Sequence, residues 1–342
     1  MGRGCADSKR LLGLNAVSHL LVDGLCAATV FGSAAAADVN MIVLYNTLAF
    51  STQCLAGLAA DRIRKHGLSA AISMLLVVLG FALPLPILAR ICCIGLGNSV
   101  FHVAGGSMTL ERSRGKAGAL GVFVAPGAIG VTLGTLWPQL GTVFAILLTL
   151  CAILEIPLSR SAPAERNEQT AEVSLLIPVL LTAAVAVRAV GGSAVHFPWK
   201  VGIPAALVMT GFVFLGKTLG GFVCDRIGAR NSAWLSVVPA AVLIAFCSNW
   251  MVPALAGQFL INLTMPVTLW LLYRAMPEAP GFAFGLAASA LWPGTVLGGL
   301  MTLTGPALWV CVVVSFCFGL WAILYSEKKI FERKDEPHEK AR

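Results

Sequence analysis

Charge is what this sequence has least of. Only 12% of its 342 residues are Asp, Glu, Lys or Arg, about half of the roughly 25% found in soluble domains. A chain so short of charge cannot cover a water-exposed surface, so a soluble globule is excluded. The apolar stretches lack strict alternation, which excludes a transmembrane barrel, whose strands alternate lipid-facing and lumen-facing residues. No C-x-x-C occurs among the ten cysteines. Most of them (Cys26, Cys54, Cys151, Cys247, Cys311, Cys317) stand singly in apolar runs and Cys92 and Cys93 are adjacent, so they read as small embedded hydrophobes rather than a disulfide scaffold or metal site. H-E-x-x-H and G-x-S-x-G are absent as well, so neither a zinc protease helix nor a serine-hydrolase elbow is present. No cofactor and no metal are expected.

Apolar residues take the place of charge: 58% of the chain is hydrophobic and mean hydropathy is +0.85. A bilayer core needs about 20 apolar residues per helix, and at roughly 28 residues per span with its loop the chain holds about twelve. They read as spans near 11–32, 40–60, 68–86, 87–110, 117–138 and 142–158, then 174–195, 201–222, 232–248, 250–273, 281–303 and 306–325. The expected organisation is a six-helix half over 1–158, a polar cytoplasmic linker over 159–173, a second six-helix half over 174–325 and a charged, fraying tail over 326–342. The N-terminal stretch has the basic start and Ala-rich end of a signal peptide. Asn15, His19 and Asp23 inside its apolar run make it a retained first span instead.

The net charge of +8 would suggest nucleic acid in a soluble protein. Here it follows topology, because basic residues mark cytoplasmic loops. With the N-terminus inside, 20 of the 24 Lys and Arg fall on the cytoplasmic side. The exceptions are Arg90, Arg188, Lys200 and Lys217. Both termini are therefore expected in the cytoplasm and the protein in the cell membrane, with lipid as its surroundings and no nucleic-acid partner.

Two interruptions between spans repeat one another. Gly57-Leu-Ala-Ala-Asp61-Arg62 recurs as Gly221-Phe-Val-Cys-Asp225-Arg226, 164 residues later. The second continues through Gly228 to Arg230, whereas Arg64 stands where the first would have its second glycine. Equivalent loops on one face require an even number of spans per unit, hence two parallel repeats. An Asp at such a place can cap a neighbouring helix, and the Arg beside it can pair with an acid across the halves.

These loops resemble the signature loop of the major facilitator superfamily, Gly-x-x-x-Asp-Arg/Lys-x-Gly-x-Arg/Lys. Gly121 to Gly130 in span 5, with Pro126 and Gly127, is similar to that superfamily's antiporter motif, and Trp292-Pro293-Gly294 with Gly298 echoes it in span 11. Ser18-His19-Leu-Leu-Val-Asp23, Gly95-Leu-Gly97-Asn98-Ser-Val-Phe101-His102 and Arg188-Ala189 with Phe197-Pro198 resemble the fosmidomycin-resistance branch. That branch continues Phe-His with Pro-Glu, where this chain has Val103 and Ala104. The resemblance implies an all-helical transporter with spans 1, 4, 7 and 10 lining a central cavity, gated by Gly57, Asp61 and Arg62 in one half and by Gly221, Asp225, Arg226, Gly228 and Arg230 in the other.

A charge at the bilayer centre costs about 2.5–3.5 kcal/mol on insertion scales, so buried charges are functional candidates. Asp23 and Arg188 lie 165 residues apart, close to the repeat, and are expected to face each other as a carboxylate–guanidinium pair. His19 shares a helical face with Asp23, and His102 with Asn98. Asn98 pairs with Asn262, and Gln53 with Lys217, at the 164-residue offset. The expected function is secondary transport of a small anionic or drug-like solute by a monomer, as proton-coupled efflux, with Asp23 coupling the proton and Arg188 receiving the anion. Uptake by symport, a non-transporting sensor and a membrane acyl-transfer enzyme are the alternatives; for the last, His19-x-x-x-Asp23 is one residue short of the usual H-x-x-x-x-D.

Overall fold

A computed structural model describes residues 2–113, 115–161 and 174–332. Arg114, most of the expected linker (162–173) and the tail from 333 onward lie outside the described residues. Everything regular is helical. In order these are α1 (Gly2–Phe31), α2 (Val39–Asn46), α3 (Gln53–Ile63), α4 (His66–Ala82), α5 (Ile87–Arg112), α6 (Gly118–Val124), α7 (Pro126–Leu136), α8 (Gly141–Ser161), α9 (Leu176–Ser193), α10 (Gly202–Cys247), α11 (Met251–Asn262), α12 (Thr264–Ala275), α13 (Pro280–Gly299) and α14 (Gly305–Glu332).

Ten continuous helical segments are long and apolar enough to cross a bilayer, and α4 is a shorter apolar helix of 17 residues. The segment α10 has 46 residues, about 69 Å at 1.5 Å per residue and more than twice a bilayer core. It folds at Gly228, whose φ of 82° and ψ of 162° interrupt the helix, so it supplies two spans. The described residues thus hold twelve spans. Several are built from two helices. A π turn over Thr47–Ser51 joins α2 to α3, flanked by Thr47 and Thr52 hydroxyls that donate to the carbonyls one turn back. Pro126 opens α7 at its first turn, where a missing amide costs nothing. The last helix runs past the expected limit of 325 to Glu332, whose carboxylate pairs with Lys328 and Lys329, each at 3.3 Å.

The hydrophobic interior is two large clusters and a small third of Leu180, Ala184 and Ala322. One gathers α1, α4, α5, α6 and α8 around Phe101 and Phe123, joined by Leu269 and Tyr273 of α12 and Phe284 of α13; the other gathers α9 to α14 around Phe316 and Leu271, joined by Ala117. In each set a pair of glycines brings two helices into backbone contact. Gly130 and Gly134 of α7 lie against the carbonyls of Leu20 and Gly24 on α1, and Gly294 and Gly298 of α13 lie against those of Ala186 and Val190 on α9. Any Cβ there would overlap a carbonyl, the usual reason for small-x-x-x-small seams between membrane helices. The two seams are 164 residues apart on the glycine side, so the same packing is built twice. Along α8, Ile146, Leu150 and Ile153 are exposed while Leu148, Ala152 and Glu155 are buried, as a helix between lipid and protein requires.

Candidate functional site

A cavity of about 180 Å³ lies between the two helix sets, at the level of Asp23 and Arg188. Its first wall comes from α1 and α5. His19 and Asp23 are one turn apart on α1, and their Nε2 and Oδ2 atoms are 3.3 Å apart. His102, from α5, places its Nε2 at 3.6 Å from Asp23 Oδ1. The two imidazoles meet edge to face, with centroids 4.3 Å apart. Each is held from behind: His19 Nδ1 is 2.7 Å from the Phe123 carbonyl oxygen, and His102 Nδ1 is 2.9 Å from that of Asn98. A carbonyl only accepts, so both Nδ1 atoms carry the proton and both Nε2 atoms point at the carboxylate. Asn98 donates from Nδ2 to Asp23 Oδ1 at 2.8 Å and also approaches the Tyr45 hydroxyl at 3.4 Å. Gly127 of α7 closes the group, since a Cβ there would run into His19 and Asp23.

The second wall is basic. Arg188 of α9 and Lys217 of α10 both line the cavity, with Thr268 of α12. Arg188 donates to the Thr264 hydroxyl, and that hydroxyl in turn donates to the Ile261 carbonyl at 2.7 Å. The expected carboxylate–guanidinium pair is not formed: among the described residues Asp23 meets the two histidines and Asn98, and Arg188 meets Thr264. The helix register explains part of this. The α7 and α13 seams equate Leu20 with Ala186 and Gly24 with Val190, an offset of 166 rather than 165. Arg188 is therefore the counterpart of Val22, and its long side chain turns toward α12.

Asn262 departs from expectation too. It bonds back to the Gln258 carbonyl at 2.8 Å and packs beside Gly216, away from the cavity wall. The next helix, α12, supplies the polar groups instead: Thr268 lines the cavity and Thr264 receives Arg188. Gln53 and Lys217 do share the cavity, and their backbones are approached by Gly285 and Gly121 in matching fashion.

The repeated loops meet the opposite helix set. Asp61 accepts from the amides of Gly281 and Phe282, both at 2.8 Å. Asp225 accepts from those of Ala117 and Gly118, at 2.7 and 2.9 Å. Each carboxylate thereby caps the first turn of a helix in the other set, α13 or α6, where unpaired amides and the helix dipole favour an anion. The acceptors and the donors are both related by 164 residues, so one contact is made twice. Gly57 and Gly221, one turn before each Asp, admit the close approach: a Cβ would lie 2.6 Å from the Gly281 carbonyl carbon or 2.7 Å from that of Ala117. Arg62, Arg226 and Arg230 are exposed and, among the described residues, form no ion pair, so the expected pairing of these arginines across the halves is absent. Arg64 takes the position of Gly228 with a φ of 55°, the only non-glycine with positive φ among the described residues.

Deeper contacts join the sets as well. Ser289 of α13 donates to the Phe50 carbonyl at 3.0 Å, Trp292 to the Thr47 hydroxyl at 3.2 Å, and Thr132 meets Thr210 at 2.7 Å. Sequence patterns do not single these out, because a Ser or Thr in an apolar run is indistinguishable from one bonded to its own helix.

No known protein-family profile matches the chain, and no curated protein matches it. Solved structures do. The chain is similar to the major facilitator superfamily transporter FucP in its outward conformation, with a TM-score of 0.69 at 12% identity over 94% of this chain and 98% of that one. It is similar to a point variant of the E. coli fucose:proton symporter FucP, with a TM-score of 0.68 at 11% identity and the same coverage. The chain therefore has the major facilitator fold.

Proposed function

We propose that this protein is a secondary transporter that moves a small anionic solute through the central cavity by alternating access, coupled to protons and working as an exporter. The observation that carries this reading is the cavity itself. It joins a carboxylate and two imidazoles from the first helix set to a guanidinium and an ammonium from the second, so its walls come from the two bodies that alternating access moves against one another. Arg188 and Lys217 suit an oxyanion on the cargo. Asp23, with His19 and His102 beside it, is the place for the coupling proton. The paired Asp61 and Asp225 contacts supply closure on one face, with Gly57, Arg62, Gly221, Arg226, Gly228 and Arg230 completing the gates. Export follows the resemblance of the Ser18–Asp23 and Gly95–His102 stretches to the fosmidomycin-resistance branch; uptake by symport is the second reading, favoured by the similarity to a fucose:proton symporter.

Proteoliposomes carrying a pH-sensitive dye test both. Addition of a transported anion to vesicles with an imposed proton gradient dissipates that gradient, and the sign of the dye response separates exchange from symport. Full gradient-driven flux in Asp23→Asn would remove Asp23 from the coupling role, and no flux across a panel of small carboxylates, phosphonates and phosphates would overturn the anion-transport reading.

A further inference from the structure

We infer that His19, Asp23 and His102 form a binding site for one divalent first-row transition-metal ion, open to the central cavity. Four observations converge on it. One ligand atom from each residue lies within 4.8 Å of the others. Both imidazoles present Nε2 to the carboxylate, because each Nδ1–H is committed to a backbone carbonyl, that of Phe123 or of Asn98. A backbone carbonyl behind a histidine is the usual outer support of a metal ligand, fixing its tautomer and aim. Asn98 does the same for the acid by donating to Asp23 Oδ1.

The separations fit an ion better than a hydrogen bond. Charge-assisted N–H···O contacts run about 2.7–2.9 Å, whereas the two Nε2–carboxylate distances are 3.3 and 3.6 Å. The two contacts reach opposite oxygens of Asp23, Oδ2 from His19 and Oδ1 from His102, so the carboxylate faces both imidazoles at about the 3.4 Å spacing of ligand atoms about 2.1 Å from a tetrahedral ion. In the neutral rings, with each Nδ1–H committed to a carbonyl, both Nε2 lone pairs face the carboxylate, whose Oδ1 has only the Asn98 amide as a donor. A cation relieves that.

The donor set names the class of ion. Two imidazoles and one carboxylate suit Zn²⁺, Co²⁺, Ni²⁺ or Fe²⁺, not Ca²⁺ or Mg²⁺, which take oxygen ligands. Three protein ligands leave at least one coordination position for the cavity side. That side carries Arg188 and Lys217, so the outermost ligand of the ion is an anion or water. The ion's standing as cargo rests on the transporter reading; the site does not.

Metal-stripped, tag-free protein in detergent micelles, titrated with Co²⁺ alone, tests this. The expected result is one saturable Co²⁺ per chain with the visible absorption of a four- or five-coordinate ion, displaced by Zn²⁺. His102→Ala and Asp23→Asn each weaken binding by at least about 100-fold, and Asn98→Ala by about 10- to 100-fold, the range for an outer-shell partner. X-ray absorption on the Zn²⁺-loaded wild type needs no variant. Two imidazole nitrogens and an oxygen support the site, and fewer than two imidazoles or any sulfur ligand overturns it. Absence of saturable Co²⁺ binding, or binding unchanged in His102→Ala, also overturns it. The two readings fail separately. Metal binding without flux of the anions leaves the site and removes the anion-transport reading, while anion flux without metal binding does the reverse.

Discussion

The Asp61 carboxylate accepts a hydrogen bond at 2.8 Å from the amide of Gly281, 220 residues further along the chain. Asp225 repeats the contact at Ala117, 108 residues back along the chain. Two acids in equivalent loops thus fasten the same face of the molecule from opposite sides. Each holds the first turn of a helix belonging to the other set, so neither contact survives separation of the two sets at that face.

Asp61→Ala and Asp225→Ala should each loosen this face. Hydrogen bonds to a charged group contribute about 1.5–3 kcal/mol, so loss of either acid shifts the closed-to-open ratio by about 10- to 150-fold. Spin labels at the exposed positions Arg62 and Arg226 would report longer distances in either variant, and longer still in the double. Unchanged distances would mean that the acids do not hold the face shut.

Gly57→Val and Gly221→Val should prevent closure by volume rather than by charge. A Cβ at Gly57 would come within 2.9 Å of Phe282 Cα, and one at Gly221 within 2.8 Å of Gly118 Cα. The same labels would show the open distance in both variants, and flux in proteoliposomes would be lost because the cycle cannot return.

The two loops should respond oppositely to exchange of their turn residues. A Cβ at Gly228 would meet nothing within 4 Å, but the φ of 82° and ψ of 162° there are accessible essentially to glycine alone. Gly228→Ala therefore costs about 1–3 kcal/mol through the backbone. Arg64, at φ 55° and ψ 24°, carries the ordinary left-handed penalty, and Arg64→Gly removes about 1 kcal/mol of it. Thermal unfolding in detergent, followed by tryptophan fluorescence, should give a lower midpoint for the first and a higher one for the second.

Arg188→Ala should raise the KM for an anionic solute by about 10- to 150-fold, the equivalent of one charge-assisted hydrogen bond of about 1.5–3 kcal/mol. Thr264→Ala leaves the guanidinium in place without its hydroxyl partner and should raise KM far less. Initial rates of flux against solute concentration separate the two. Equal effects would place Arg188 in packing rather than in anion binding.

Much of the fold was legible because its causes are local. Long apolar runs dictate spans, and a Gly-x-x-x-Asp-Arg loop occurring twice at a fixed offset dictates two parallel units. The capping role of Asp61 and Asp225 was legible for the same reason, since an acid at a loop of this kind seeks a helix N-terminus. Which helix it finds was not, because the partners lie more than a hundred residues away. The seam glycines Gly130, Gly134, Gly294 and Gly298 show the limit from the other side. Their spacing was visible, but the one-residue difference they impose on the Asp23–Arg188 register came only with the helices in contact.

Composition and period act along the chain. They were enough for the membrane class, the number of spans, the doubling of the architecture and the charges Asp23, Arg188 and Lys217 that line the cavity, but not for Glu155, which is fully buried. Which charges meet was settled only by the packed helices. Packing turned Asp23 toward His19, His102 and Asn98, sent Arg188 to Thr264, took Asn262 out of the cavity and set Arg64 in a glycine's conformation. A helical period says which residues share a face but not how that face is rotated against its neighbours. Rotation depends on the fit of whole helices, and a difference of one residue in register, about 100° around the axis, is enough to exchange one partner for another.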